Sequence, residues 1–125
     1  MTDTRFDVLG VGNAIVDVLA SVDDAFIEQH SLAKDAMLLI DEERANSLYE
    51  AFPPAQEISG GSAANSLAGV ASLGVRGAYI GKVANDQLGE VFAHDLRSIG
   101  VHYDTKPLKD GPSTARCLIA VPADA

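Results

Sequence analysis

The sequence predicts an α/β fold in which a layered core with parallel strands carries a small additional β-sheet. Three observations predict it. From Gly60 onward, short apolar strand-like runs alternate with segments of helical periodicity, the pattern of a layered α/β unit. Before Gly60 the strands instead cluster around short helices, and a second strand-like pair at 103–105 and 115–121 supplies material for a separate small sheet. No repeat, low-complexity stretch or linker divides the chain.

Residues 6–12 form an apolar run that closes in glycines, and in 16–22 Val16, Val18, Ala20 and Val22 alternate with Asp17, Leu19 and Ser21, so both read as strands. Asp23 or Asp24 can cap a short helix through His30. The run Ala36-Met37-Leu38-Leu39-Ile40 predicts another strand. Asp41, Glu42 and Glu43 then place negative charge at a helix start, Ala45, Leu48, Tyr49 and Phe52 make that helix's inner stripe, and Pro53-Pro54 ends it. Residues 56–59 are briefly extended and lead into Gly60-Gly61, and 62–73 is a helix rich in Ala, Gly and Ser that can lie close against a sheet. A strand over 78–83 follows. The next helix, over 88–99, turns Leu88, Phe92, Leu96 and Ile99 inward and is closed by Gly100. The final strand is 115–121.

Composition excludes several functions. With 47% apolar residues the 125-residue chain can fill a core, and no apolar run approaches the roughly 20 residues a bilayer helix requires, so no membrane partner is expected. Nine Lys and Arg against eighteen Asp and Glu leave a formal charge of -9 with no basic patch, which argues against nucleic acid. The opening residues do not form a signal peptide. Cys117 is the single cysteine, so the expected location is a reducing cytoplasm. His30, His94 and His102 share no ligand spacing, and no metal site is expected of them.

Three motifs carry chemistry. In Gly10-Val11-Gly12-Asn13-Ala14-Ile15-Val16-Asp17 the glycines allow a sharp turn at a strand end, where α/β folds bind ligands. The Asp17 carboxylate can accept two adjacent hydroxyls, and the Asn13 amide can donate and accept beside it. A turn that these side chains merely satisfy explains the same letters without function. A dinucleotide site fits poorly, because Ile15 stands where its third glycine belongs and a strand stands where its helix belongs. Gly60-Gly61-Ser62-Ala63-Ala64-Asn65 opens a helix whose free N–H groups attract oxygen atoms, with Asn65 one turn in and facing outward. It lacks the Gly-Lys-Ser/Thr of a P-loop, and a plain helix start is the bland alternative. In Gly81-Lys82-Val83-Ala84-Asn85-Asp86-Gln87-Leu88-Gly89, an N-cap at Asn85 or Asp86 suffices as an explanation.

Taken in order, these motifs resemble the amino-terminal half of the ribokinase-like, or PfkB, carbohydrate kinases, and adenosine kinases most closely. The family's G-N-x-x-x-D corresponds to Gly12 through Asp17, its G-G-S-x-x-N-S to Gly60 through Ser66, and Ile80-Gly81-Lys82-Val83-Ala84-Asn85-Asp86 follows. Many members carry Gly-Asp-Asp where this chain has Ala84-Asn85-Asp86. The resemblance implies a partial ribokinase-like domain over 1–125, with α/β core segments at about 5–15 and 60–102. It also implies a β-sheet lid from about 16–59 and 103–121, hinged at the paired glycines, which either stands free or pairs with a second copy's. It implies ATP-dependent phosphorylation of a sugar or ribonucleoside primary hydroxyl. Adenosine is the preferred substrate, and fructose, ribose and other nucleosides are held by related members. Asp17 and Asn65 would hold ribose hydroxyls with Asn13 assisting, Gly60 and Gly61 would border the sugar, and Leu38, Ala115 and Cys117 would line the base side. The family's G-A-G-D motif, which supplies its general base and anion hole, has no counterpart in these residues. ATP and Mg²⁺ would therefore be bound mainly elsewhere, no catalytic residue is assigned, and these residues alone are expected to be inactive. A noncatalytic sugar-binding or nucleoside-binding lid module is the alternative.

Overall fold

The structure, a computed structural model, describes residues 3–125. In chain order the elements are β1 (Val8–Val11), β2 (Ile15–Val22), α1 (Asp24–Gln29), α2 (Glu42–Ala51), β3 (Gln56–Gly60), α3 (Ser62–Ser72), β4 (Gly77–Ile80), α4 (Gln87–Ser98) and β5 (Ala115–Pro122). They form two sheets. β1 and β4 pair in parallel, with Val8 beside Gly77 and Val11 beside Ile80. The second sheet has the order β3-β2-β5, with β3 antiparallel to β2 and β5 parallel to it.

Alternation along β2 decides how the second sheet is buried. Ala14, Val16 and Val18 point inward, where they join Leu88, Phe92 and Leu96 of α4, Leu67 of α3, and Tyr79, Val101 and Tyr103 in one apolar core, and Ala20 is buried on the same side of β2. Ile15, Asp17 and Leu19 therefore fall on the opposite face. α3 packs on β1 and β4 through Leu67, which lies where Gly10 and Gly77 have no side chain. α4 packs on β3 and β2, and the Ser59 N–H donates to the Asp95 carboxylate at 2.8 Å, tying β3 to that helix.

The caps follow the sequence. Asp23 accepts from the Phe26 N–H and Asp41 from the Arg44 N–H, each at 2.8 Å. At the third motif it is Asp86 that caps α4, accepting from the Gly89 N–H at 2.8 Å, and it also binds the Thr114 N–H and hydroxyl at 2.9 and 2.6 Å. Burial pushes the Asp86 carboxyl up, but these bonds outweigh it and hold its pKa below the ordinary 3.8.

Two expected strands are absent. Residues 36–40 form no ladder, and Met37, Leu38 and Leu39 are exposed. An apolar run becomes a strand only where a neighbouring strand takes up its hydrogen bonds, and none pairs with this one. Residues 103–105 are not a strand either. The chain there touches β4 through one bridge, Ala78 to His102, and Tyr103 turns into the core. The strand expected over 78–83 ends at Ile80.

Candidate functional site

The two glycine motifs meet where the sheets adjoin. β1 runs through Gly12 and Asn13 directly into β2, and β3 ends at Gly60, one residue before the cap of α3. Gly61 has φ +90°, a left-handed conformation that favours glycine, and a Cβ on it would stand 2.8 Å from the Asn13 carbonyl oxygen. A Cβ on Gly12 would stand 2.8 Å from that of Ala63. Both segments therefore approach one another backbone to backbone.

Asp17 lies on the open face of β2. Its carboxylate rests on Gly60, where an added Cβ would be 2.5 Å from Oδ2, 2.8 Å from Cγ and 2.9 Å from Oδ1. On the other side β5 aligns Ala115 with Ile15 and Cys117 with Asp17, and both residues are exposed on that face. Ile58 is opposite Asp17 on β3. The result is a carboxylate set among Ile15, Leu19, Ile58 and Cys117, a largely apolar surface with one acceptor at its centre. Partial burial pushes the Cys117 thiol up and the nearby Asp17 charge adds to it, so the thiol stays protonated at neutral pH.

Asn65 sits in the first turn of α3, exposed, with its N–H donating to the Gly61 carbonyl at 2.9 Å. The fold thus gathers Asn13, Asp17, Gly60, Gly61, Ala115 and Cys117 around the sheet junction and starts the Asn65 helix from the same glycine. Leu38 stands apart, 64% exposed and outside both sheets. The apolar rim of Ile15, Leu19 and Ile58 was missed as part of the site, although the alternation of β2 could have placed the first two beside Asp17. Tyr79 was missed as well. It is a buried phenol directly beneath Gly12 and Gly81, and its only signal was a tyrosine two residues before a strand-ending glycine.

Among the described residues no three His, Cys, Asp or Glu side chains cluster as ligands for a cation. A Mg²⁺ ion that arrives with ATP phosphates needs only one or two protein carboxylates rather than such a cluster.

Comparison with known proteins agrees with this geometry. The profile of the pfkB family carbohydrate kinases matches residues 36–125. The crystal structure of adenosine kinase from Sinorhizobium meliloti superposes with a TM-score of 0.80 at 57% identity, covering 97% of this chain and 37% of that one. A probable sugar kinase from Rhizobium etli CFN 42 gives 0.80 at 56% identity, covering 98% and 37%. Adenosine kinase 1 of Arabidopsis thaliana is 32% identical over 111 residues, 82% of this chain and 32% of that protein. The chain thus spans about a third of the length of such relatives.

Proposed function

This chain belongs to the pfkB family of carbohydrate kinases, and from that premise we propose that it supplies the sugar-holding part of an ATP-dependent kinase acting on a primary hydroxyl, with adenosine the preferred substrate. The observation that carries the proposal is the Asp17 carboxylate, lodged over Gly60 on a half-open apolar face. A carboxylate there accepts two neighbouring hydroxyls of a ribose while the apolar residues around it cover the carbon skeleton.

In this reading Asp17 holds the vicinal hydroxyls, Asn65 joins from the first turn of α3, and Asn13 assists from the β1–β2 turn. Gly60 and Gly61 allow the sugar to approach the backbone. Ala115 and Cys117 flank the base side, and the exposed Leu38 segment folds over it. The β3-β2-β5 sheet acts as the lid. Phosphoryl transfer depends on positioning as much as on charge stabilisation, and the contribution of these residues is positioning: they fix the sugar ring so that its primary hydroxyl points away from Asp17. Adenosine is favoured over other sugars by the Gly60-Gly61-Ser62-Ala63-Ala64-Asn65-Ser66 stretch and by the likeness to the Sinorhizobium meliloti adenosine kinase.

Titration of the full chain with adenosine tests this. Asp17→Ala should weaken binding roughly 30- to 1,000-fold, the loss of about 2–4 kcal/mol expected for a carboxylate bonded to two hydroxyls. Unchanged affinity in that variant refutes the role of Asp17, and tighter binding of fructose than of adenosine refutes the preference.

A further inference from the structure

Tyr79 is 2% exposed at the end of β4, its ring wedged against Phe92 and Tyr103 with centroids 5.6 and 5.9 Å apart. Its hydroxyl is buried and bonded to no other group among the described residues. The neighbouring phenol differs: the Tyr103 hydroxyl donates to the Gly81 carbonyl at 2.8 Å. An unpaired buried hydroxyl is a cost that phenylalanine would avoid, so packing alone does not account for a tyrosine here.

The place that hydroxyl points to is informative. A Cβ on Gly81 would stand 2.5 Å from the Tyr79 hydroxyl and 2.7 Å from the Gly12 carbonyl oxygen, so both oxygens border one small space that glycine keeps free. The Gly12 carbonyl belongs to the peptide that leads into Asn13. Both lie at the carboxyl ends of parallel strands, where α/β sheets bind ligands. Burial raises the Tyr79 pKa, which keeps the phenol a proton donor at neutral pH.

We propose that Tyr79 is a positioning residue of the ligand site: when a ligand seats, its O–H donates to the Gly12 carbonyl and fixes the Gly12–Asn13 peptide so that Asn13 faces the ligand. The proposal rests on the sugar-holding reading of Asn13 and Asp17. Loss of the Tyr79 hydroxyl therefore weakens binding while it removes an unpaired buried group, so affinity and stability move in opposite directions.

The test is Tyr79→Phe in the full chain, with adenosine affinity by calorimetry and thermal midpoint measured together. The expected result is adenosine affinity weakened roughly three- to ten-fold, the worth of one net hydrogen bond, with the midpoint equal or higher. Unchanged affinity, or a fall in midpoint that accompanies the loss, overturns the proposal, because the hydroxyl is then inert or merely structural. Asp17→Ala in parallel separates the two ideas. Weakened binding in Asp17→Ala with parental affinity in Tyr79→Phe overturns the Tyr79 role alone. Parental affinity in Asp17→Ala, or no adenosine binding by the parent chain, overturns the sugar-holding reading and the Tyr79 role with it.

Discussion

Replacing each of the paired glycines by alanine should separate binding from folding, because their missing side chains make room for different atoms. At Gly60 the atoms nearest the new Cβ would be those at the end of the Asp17 side chain, with Oδ2 at 2.5 Å. To pass from 2.5 Å to an ordinary contact of at least 3.4 Å, the carboxylate must retreat by about 0.9 Å, which a change of side-chain torsion provides. Such a torsion costs about 0.5–1.5 kcal/mol, partly offset by the stiffer unfolded chain of an alanine variant. Stability should therefore fall by no more than about 1 kcal/mol. Binding should suffer far more, since a displacement near 1 Å from the productive position costs on the order of 100-fold. At Gly61 the new Cβ would meet the Asn13 backbone carbonyl at 2.8 Å, and φ +90° is unfavourable for any side chain. The backbone cannot step aside, so Gly61→Ala should cost about 2–4 kcal/mol of folding free energy. Urea denaturation of the full chain measures the first quantity and calorimetric titration with adenosine the second. Parental affinity in Gly60→Ala would show that the position of Asp17 over Gly60 is irrelevant to the ligand. Gly60→Ala combined with Asp17→Ala should bind no worse than Asp17→Ala alone, because both remove one interaction.

Three more outcomes concern the frame. Asp86→Ala should destabilise the chain by about 2–4 kcal/mol, through the lost cap of α4 and the Thr114 O–H and N–H donors left without an acceptor, while the Thr114 oxygen still accepts from the Ala84 N–H; a change under about 0.5 kcal/mol in urea denaturation contradicts that network. The folded pKa of Asp86 is depressed, so its contribution is complete above 3.8 and is lost as pH falls through the lower folded value; an Asp86→Asn chain should show a flatter acid limb of stability. Tyr49 donates to Glu57, and that bond, with burial, pushes its pKa up to about 12. The neutral phenol is the stabilising form, so its contribution is whole below 10.0 and disappears as pH rises through about 12. Ultraviolet titration of the chain against Tyr49→Phe isolates this group, and its ionisation near 10 would refute the coupling to Glu57.

The elements that local chemistry specifies were legible in the sequence. Asp23 or Asp24, the acidic run from Asp41, and Asn85 or Asp86 announced helix starts, and in the structure Asp23, Asp41 and Asp86 are the caps. The alternation from Val16 to Val22 placed Asp17 on the face opposite the buried valines, which is where it stands. What stayed illegible depends on partners distant in sequence. The run 36–40 has the letters of a strand, yet a strand exists only where another takes up its hydrogen bonds, and none pairs with it. Leu38 was assigned through the family resemblance and stands exposed, because an apolar letter does not reveal whether a ladder holds it. Tyr79 read as one more strand residue, since nothing local indicates that its hydroxyl would lie buried beneath two glycines from separate motifs.

The glycines at the junction each yield to a different atom: Gly12 to Ala63, Gly60 to the Asp17 carboxylate, Gly61 to the Asn13 carbonyl, and Gly81 to the Tyr79 hydroxyl. This arrangement bears on affinity as well as on shape. Asp17 rides on the three-stranded sheet, whereas Asn65 rides on α3, which packs against β1 and β4. The two-stranded and three-stranded sheets are joined here by the short connection through Gly12 and Asn13, and by Gly61 between β3 and α3. A ligand grasped by both residues must therefore fix the angle between the sheets, and whatever angle the free chain prefers is subtracted from or added to the binding free energy. Substitution at Gly12, which has no assigned contact with the ligand, is accordingly predicted to alter affinity through this angle, which distinguishes a site built across a junction from one carried on a single rigid sheet.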